Sequence, residues 1–311
     1  MSPPRFFAII LLVPPTFFVS DLHGRINRYQ TLFEAVLREK PEAVFIGGDF
    51  LPHAWHVHET LDFQHRDFMN DFLVKNLLVL RRELREAYPR VFLIMGNDDA
   101  RIEEAAVLDA AARGVWEYIH QRRVAFGEFT IYGYAYVPPT PFRLKDWERY
   151  DVSRYTDPDA ISPEEGWRTY PVSDQEMRYM TIKDDLDRFT ENQDMARAIF
   201  LFHTPPYQTK LDLSARGGKM IDHVPLDYHL GSIAVRRFIE ARQPLMTLHG
   251  HVHESARISG FWRDRIGSTQ CFSAAHDGPE LALVRFDPDN LDAANRELIR
   301  SGRQTPIFKS G

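Results

Sequence analysis

The chain has 311 residues, of which 44% are hydrophobic and 26% are charged, enough apolar material for a full core within one large domain. Its net charge of -6 at pH 7 argues against stable nucleic-acid binding, which depends on Lys and Arg that neutralise phosphates. Cys271 is the single cysteine, so no intrachain disulfide can form. We therefore expect a cytoplasmic protein, since a reducing cytosol disfavours disulfides.

An apolar run over residues 6–13 ends at Pro14 and Pro15. It is shorter than the roughly 20 apolar residues that span a bilayer, and it lacks the basic start and the small-residue cleavage site of a signal peptide. We interpret the run as an extra edge strand or an extension ahead of the first core strand. We expect no contact with a membrane.

The first half of the chain alternates short apolar runs with longer amphipathic stretches. The apolar runs predict strands at 17–19, 43–46 and 91–95. Apolar residues at helical spacing predict a helix capped by Asn27 and running to Glu39, a helical segment over 60–88, and a helix over 101–113 that ends at Gly114.

Strand patterns cluster in the second half. Gly127 and Glu128 separate two apolar runs, 124–126 and 129–132, and predict a hairpin. The remaining predicted elements are helices at 175–191 and 230–242, strands at 197–202, 244–249, 262–266, 269–274 and 280–286, and a tail from 288 with a short helix and a loose end.

This order of elements predicts an α/β fold in which two sheets pack face to face with helices outside, a four-layer α/β/β/α sandwich. We expect one domain over residues 1–311, with loop excursions near 50–60, 135–174 and 204–229. The proline-rich excursion at 135–174 is expected on the surface, since loops this long are usually functional or disordered. Its aromatic residues include Phe142, Trp147, Tyr150 and Trp167.

Five short segments each end an apolar run with residues that can bind metals. They are Ser20–His23, Gly47–Asp49, Gly96–Asp99, Phe202–Thr204 and Gly250–His253. Each alone could be an ordinary turn or a packed histidine. Together they predict a divalent-metal site, because open α/β sheets carry their sites at the carboxyl ends of strands and because imidazole and carboxylate donors converge there.

Two pairs of these residues have a spacing of two. They are Asp21 with His23, and His251 with His253. If the backbone is extended there, the side chains of each pair share one face.

In this order the five segments resemble the calcineurin-like metallophosphoesterase superfamily. Its pattern is D-x-H, GD, GN followed by H, C, R or D, a lone His, and GHxH, and the resemblance runs from about Phe17 to Asp287. It implies the same four-layer sandwich and two divalent metal ions bridged by Asp49. It further implies that Asp21, His23 and His253 complete one site, and that Asn97, His203 and His251 complete the other.

The ligand set suits manganese, iron, zinc or cobalt better than calcium, and we expect manganese. The resemblance implies hydrolysis of a phosphoester by hydroxide held at the dinuclear site. His203 is expected to serve catalysis as well as metal binding, and Asn97 is expected to contact the substrate.

Many relatives carry a histidine after the asparagine that protonates the leaving group, whereas this chain has Asp98 there. Asp98 could be the general acid if burial or a neighbouring carboxylate raises its pKa. Asp99 could provide that neighbour, or could orient a histidine ligand. The alternative proton donors are His53, His56 and His58. This histidine cluster could instead belong to a solvated polar loop with no role in catalysis.

Substrate contacts are expected from the two long loops. Candidates are Lys210, Arg216 and His223 after the lone histidine, and Arg143 beside the 135–141 stretch, although all could be solvated charges. The start of the 230–242 helix could offer amide donors to a phosphate.

We expect a small phosphoester substrate, with a phosphodiester favoured because a good leaving group needs less proton donation. The aromatic loops could stack a nucleotide-like base. The alternatives are a phosphomonoesterase, a nuclease, or a non-catalytic metal-binding scaffold. The sequence leaves the oligomeric state open.

Overall fold

The computed structural model describes residues 15–52, 67–215, 220–221, 224–225 and 227–301. Several features of the sequence analysis lie outside the described residues: the apolar run at 6–13, the histidine cluster at 53–58, residues 60–66 of the predicted helical segment, Arg216, His223 and the end of the tail after residue 301.

The strands, in chain order, are β1 (Thr16–Val19), β2 (Ala43–Gly47), β3 (Arg90–Ile94), β4 (Glu117–Tyr118), β5 (Arg123–Phe126), β6 (Phe129–Tyr134), β7 (Ala198–Phe202), β8 (Met220–Ile221), β9 (Val224–Pro225), β10 (Met246–His249), β11 (Arg263–Ile266), β12 (Thr269–Ser273), β13 (Leu281–Phe286) and β14 (Asn295–Ile299). The helices are α1 (Ile26–Glu39), α2 (Lys75–Leu84), α3 (Glu104–Ala112), α4 (Asp174–Tyr179), α5 (Ile182–Phe189), α6 (Ile233–Arg242) and α7 (Ser255–Ser259).

Two six-stranded mixed sheets form the centre of the molecule. The first has the order β14-β13-β1-β2-β3-β4, and the second has the order β11-β12-β10-β7-β6-β5. The inner pairs β1–β2, β2–β3, β7–β10 and β6–β7 are parallel. Apolar residues dominate β1, β2, β3 and β7, as expected for parallel strands covered on both faces.

Aromatic side chains join the two sheets into one core. The ring of Phe126 from the second sheet lies 6.5 Å from that of Phe45 and 5.7 Å from that of Phe92, both from the first. Phe272 and Phe286 make a similar contact at 6.3 Å. With α1 against α2 and α5 against α6, this arrangement confirms the predicted α/β sandwich.

Most predicted strands and helices of the first half are present, with changes at their ends. Helix α1 begins at Ile26, and Arg25 is its N-cap. The predicted cap, Asn27, lies inside the helix, and its side-chain amide donates to the carbonyl of Pro279. The amphipathic segment before α2 starts as a π-helical stretch, Phe68–Val74.

One prediction for the second half is wrong, and another is incomplete. The single helix expected over 175–191 is divided into α4 and α5, because Thr181 is extended and its side chain caps α5 by accepting from the amide of Asp184. The tail from 288 contains a short 3-10 helix, Leu291–Ala293, as expected, but it also contains the edge strand β14, which was not predicted. No helix in the described part of the chain is long and apolar enough to cross a membrane.

The first part of the excursion, residues 135–151, is largely packed into the molecule, contrary to the surface position expected for it, whereas residues 152–174 are mostly exposed or partly exposed, as expected. Trp147 is fully buried, and the Lys145 ammonium and the Glu148 carboxylate form an ion pair with both side chains inaccessible. Buried charges of this kind persist only when paired and hydrogen-bonded. Phe142 and Trp167 do remain partly exposed.

Asp151 connects this excursion to the N-terminus of α6. Its carboxylate accepts hydrogen bonds from the amide of Ile233 at 2.7 Å, from the amide of Ala234 at 3.2 Å and from the hydroxyl of Ser232 at 2.5 Å. A carboxylate at this end of a helix satisfies amide donors that have no partner within the helix, and it also favours the helix dipole.

We expect Asp151→Ala to lower the free energy of unfolding by about 2 kcal/mol, because three donors lose their acceptor. Urea unfolding followed by circular dichroism would measure the loss. Asp187→Ala is the matched control, since Asp187 is an exposed partner of Lys183 and its removal should cost no more than about 0.5 kcal/mol. Equal midpoints for the two variants would contradict the assignment.

Candidate metal centre

The five ligand-bearing segments meet in one place. They follow β1, β2, β3, β7 and β10. Within each sheet, backbone hydrogen bonds join neighbouring segments, since the amide of Asp21 donates to Gly48 and the amide of Gly250 donates to His203. Across the two sheets, the amide of His251 donates to Oδ1 of Asp21 at 3.0 Å. The expectation that the sites lie at the carboxyl ends of the strands is therefore met.

The ligands themselves lie on turns with left-handed backbone. The φ angles are 56° at Asp21, 48° at His23, 49° at Asp49 and 72° at His251. The expectation of extended pairs that share a face was therefore wrong. Such conformations cost of order 1–3 kcal/mol each for residues with a Cβ, and they concentrate at functional sites where the surrounding structure enforces them.

One cluster contains Asp21, His23, Asp49 and His253, each of which offers a ligand atom within 4.8 Å of the others. The Nε2 atoms of His23 and His253 are 3.1 Å apart, and Nε2 of His253 lies 3.2 Å from Oδ1 of Asp21. Oδ2 of Asp21 is buried and has no hydrogen-bond partner. A cation would satisfy that oxygen, so these residues fit a metal ion.

A second cluster adjoins the first through Asp49. Nε2 of His203 lies 3.1 Å from Oδ2 of Asp49 and 3.1 Å from Oδ1 of Asn97, and Nδ1 of His251 lies 2.7 Å from the same Asn97 oxygen. Nδ1 of His203 donates to the carbonyl of Gly47 at 2.7 Å. That bond fixes the ring so that Nε2 faces the cluster, as is usual for metal-binding histidines.

Two glycines allow the close approach of these loops. A Cβ atom at Gly250 would lie 2.7 Å from Oδ2 of Asp21, and one at Gly96 would lie 2.3 Å from Oδ1 of Asp49. Any side chain at either position would therefore displace a ligand carboxylate.

A sequence profile of the calcineurin-like phosphoesterases matches residues 14–255. The chain belongs to this family. Together with the two adjoining clusters, membership indicates a divalent, dinuclear metal site in this phosphoesterase. No curated protein matches the chain.

Solved structures resemble this phosphoesterase in fold. TT1561 of Thermus thermophilus aligns with a TM-score of 0.54 at 17% identity, over 93% of this chain and 100% of that one. A dimetal phosphatase from Danio rerio, LOC 393393, aligns with a TM-score of 0.46 at 14% identity, over 88% and 92% of the two chains. At such low identity, the likeness to TT1561 shows a shared fold alone.

The histidines of the phosphoesterase site differ in protonation. Burial lowers the pKa of His23 to about 4 and that of His251 to about 3, so both rings are neutral and can bind a metal. Burial also acts against a charge on His203, but the Asp49 carboxylate outweighs it and raises the pKa of His203 to about 10. In turn His203 holds the pKa of Asp49 well below its usual range, despite burial.

Asp99 does not reach the substrate side of the site. Its side chain is fully buried, and its carboxylate accepts from the amides of Leu51 at 2.8 Å and Gly96 at 2.9 Å. Burial raises its pKa well above the usual value, and Asp49 adds to the shift. These contacts make Asp99 a positioning residue for the loops after β2 and β3. Its expected part in catalysis, by raising the pKa of Asp98 or by orienting a histidine ligand, stays a prediction.

Asp98 lies on the wall of the cleft above the clusters. Its Oδ1 accepts from the side-chain amide of Asn97 at 3.0 Å, and its backbone amide donates to Oδ1 of Asp49 at 2.8 Å. The first bond turns the Asn97 carbonyl oxygen toward His203 and His251. Asp98 therefore orients a ligand, and its role as general acid stays a prediction.

Two other candidates for substrate contacts do not line the cleft, and a third is already occupied by a side chain of the protein. Lys210 and Arg143 are not among the described residues that line it, and the Lys210 ammonium instead lies 4.3 Å from the centre of the Phe261 ring. The N-terminus of α6, expected to offer amides to a phosphate, already binds the carboxylate of Asp151.

The sequence analysis assigned no role to two residues that the structure places at the site. Arg28 is almost fully buried, and its guanidinium donates to the backbone carbonyls of Asp21 and Gly278. His229 lies in the cleft and is hydrogen-bonded to the buried Asp212. No sequence signal marks these residues, because each is defined by contacts with partners distant along the chain.

We expect metal binding to the stripped protein near pH 7 to release about one or two protons, because an imidazolium must lose its proton to bind a cation. His203 carries that proton below a pKa of about 10, so the apparent affinity should rise with pH until that value is passed. Calorimetric titration with Mn²⁺ in two buffers of different ionisation enthalpy counts the protons. Heats that do not depend on the buffer would contradict this protonation state.

We expect Asp49→Ala to lose both metal ions, because both clusters share this carboxylate. Elemental analysis after stripping and reloading with Mn²⁺ would measure the metal content, and turnover should be lost with it. Asp289→Ala, at an exposed carboxylate, is the control and should keep wild-type content. A folded Asp49→Ala protein with two bound ions would refute the bridging role.

Proposed function

We propose that this protein is a manganese-dependent hydrolase of small phosphodiesters. The observation that carries the proposal is the charge of the cleft beside the metal centre. Lys and Arg are absent from the described residues that line it, and its charged side chains apart from the histidines are carboxylates. They are Asp49, Asp98, Asp151, Asp157, Asp159, Asp227 and Glu254.

This charge favours a substrate with little negative charge. A phosphodiester carries one negative charge, whereas a phosphomonoester carries close to two at neutral pH. A pocket lined by carboxylates repels the additional charge, and long polyanions such as DNA or RNA are repelled most strongly. The walls therefore favour a diester over a monoester and over a polymeric nucleic acid.

The size of the cleft suits a substrate larger than phosphate. Its volume is about 880 Å³, near the upper end of ordinary small-molecule sites. Phe142 and Tyr155 line it and are largely exposed. These rings support a nucleotide-like or other flat organic group on the diester, because aromatic faces stack on such groups.

Two divalent cations, when bound, supply the positive charge that neutralises the phosphoryl oxygens and activates water at neutral pH. The residues of this chain hold and orient the reacting groups. Asp49 joins the two clusters, and Asp98 directs the carbonyl of Asn97 toward the second one. Asp99 fixes the loops that carry both ligands.

We propose manganese because imidazole, carboxylate and amide oxygen together suit a borderline transition metal.

A cytoplasmic location is likewise proposed, on the basis of the single cysteine alone. Cys271 is buried, and burial raises its pKa to about 12, so it is an unreactive packed residue.

The test is turnover of bis(p-nitrophenyl) phosphate against p-nitrophenyl phosphate, with protein that is stripped and reloaded with Mn²⁺. We expect the diester to have the larger kcat/KM, because the acidic walls act against the dianion. The opposite order would favour the phosphomonoesterase alternative. Cleavage of a linear oligonucleotide would favour the nuclease, and two bound metals without turnover would favour the scaffold.

A further inference from the structure

His229 and Asp212 form a hydrogen-bonded pair on the wall of the same cleft. Nδ1 of His229 lies 2.9 Å from Oδ1 of Asp212. The Asp212 side chain is fully buried, whereas the His229 side chain is 16% exposed. His229 lines the cleft together with Asp49, Asn97 and Asp98. A buried carboxylate behind an imidazole that faces a reaction cleft is the arrangement of an oriented acid or base.

Asp212 is held in place independently of the imidazole. Its carboxylate accepts from the backbone amides of Gln208 at 2.9 Å, Thr209 at 2.8 Å and Gly231 at 3.2 Å. The backbone of His229 is also paired, since its amide donates to Asp227 at 2.8 Å. The loop therefore does not depend on the ring of His229 for its shape, and the ring is available for another role.

We propose that His229, oriented by Asp212, donates the proton to the leaving group of the phosphodiester. The inference rests on the proposed function. It places the proton donor on the loop before α6, whereas Asp98 orients Asn97 through a hydrogen bond that its carboxylate accepts.

In the hydrolysis of a diester, one alcohol is the leaving group. A water molecule adds its oxygen to phosphorus and gives up one proton to solvent. The bond between phosphorus and the leaving oxygen breaks, and its electron pair goes to that oxygen. The Nε2 proton of the His229 imidazolium is transferred there, so a phosphomonoester and a neutral alcohol are produced. Solvent then reprotonates His229.

Asp212 orients the ring for this step. It accepts from Nδ1 of His229, so the second ring proton is at Nε2 and is directed away from Asp212. The other titratable groups in contact with His229 are Asp227, Tyr207 and Tyr228.

The experiment compares His229→Gln with wild type on two methyl aryl phosphates that differ only in the leaving group. One releases p-nitrophenol, which needs little protonation, and the other releases phenol. We expect kcat to fall about 100-fold or more with the phenol ester and by less than about threefold with the p-nitrophenol ester. Asp212→Asn should show the same pattern with a smaller amplitude.

The pH profile gives a second readout. Wild-type kcat for the phenol ester should decline as pH rises and the imidazolium loses its proton, and this decline should be absent in His229→Gln. Tyr228→Phe is the matched control, because it removes the hydroxyl of a ring that contacts His229 at 4.6 Å and leaves the imidazole intact. It should keep wild-type rates. Asp98→Asn should slow both esters equally.

The outcomes separate this inference from the proposed function. Equal losses on both esters in His229→Gln, with wild-type metal content, would overturn the role of His229 and leave the diesterase standing. A selective loss in Asp98→Asn would transfer the role to Asp98 and likewise overturn the inference. Failure of the wild type on every diester would overturn the proposed function and this inference together.

Discussion

The carboxylate of Asp49 is the interaction on which the site depends. It lies where the two sheets meet, and it contacts the His203 imidazole from the second sheet and the amide of Asp98 from the first. Its backbone has a φ of 49°, and Gly96 leaves room for its oxygen. A buried negative charge in this position is tolerable because imidazolium or metal cations surround it. The glycines make room for this carboxylate, the left-handed turns position it, and the second-sheet histidine His203 contacts it.

The walls of the cleft surround this centre. The packed excursion provides one wall of the cleft, and Asp151 fastens it to α6 by binding the amides that a substrate phosphate could have used. The Asp151 carboxylate therefore occupies the helix N-terminus, where an anion could otherwise bind. The wall gains a negative charge, and under the proposed function only the metal centre would bind the phosphate of a substrate.

The sandwich and the convergence of the seven candidate ligands were predictable because each candidate lies close in sequence to the strand that positions it. The hydrophobic pattern predicts the position of the strand, and the position of the strand in turn fixes where the candidate ligand beside it lies. The burial of Lys145 and Glu148 was not predictable, because proline-rich polar sequence resembles surface loop and the ion pair appears only in three dimensions. The backbone of Asp21 and His23 was also missed, since residue spacing does not report φ. The pairing of His229 with Asp212 was not predicted, because it depends on how the loop between them folds back.

The position of β1 has a consequence for synthesis of the chain. β1 is paired on one side with β2 and on the other with β13, where Thr16 lies opposite Phe286. On the ribosome, β2 emerges soon after β1, but β13 emerges only after β2 to β12 have been made. Until then β1 presents an open hydrophobic edge, the kind of surface that promotes aggregation. Nascent chains of this protein should therefore need a chaperone to cover that edge until the last strands arrive.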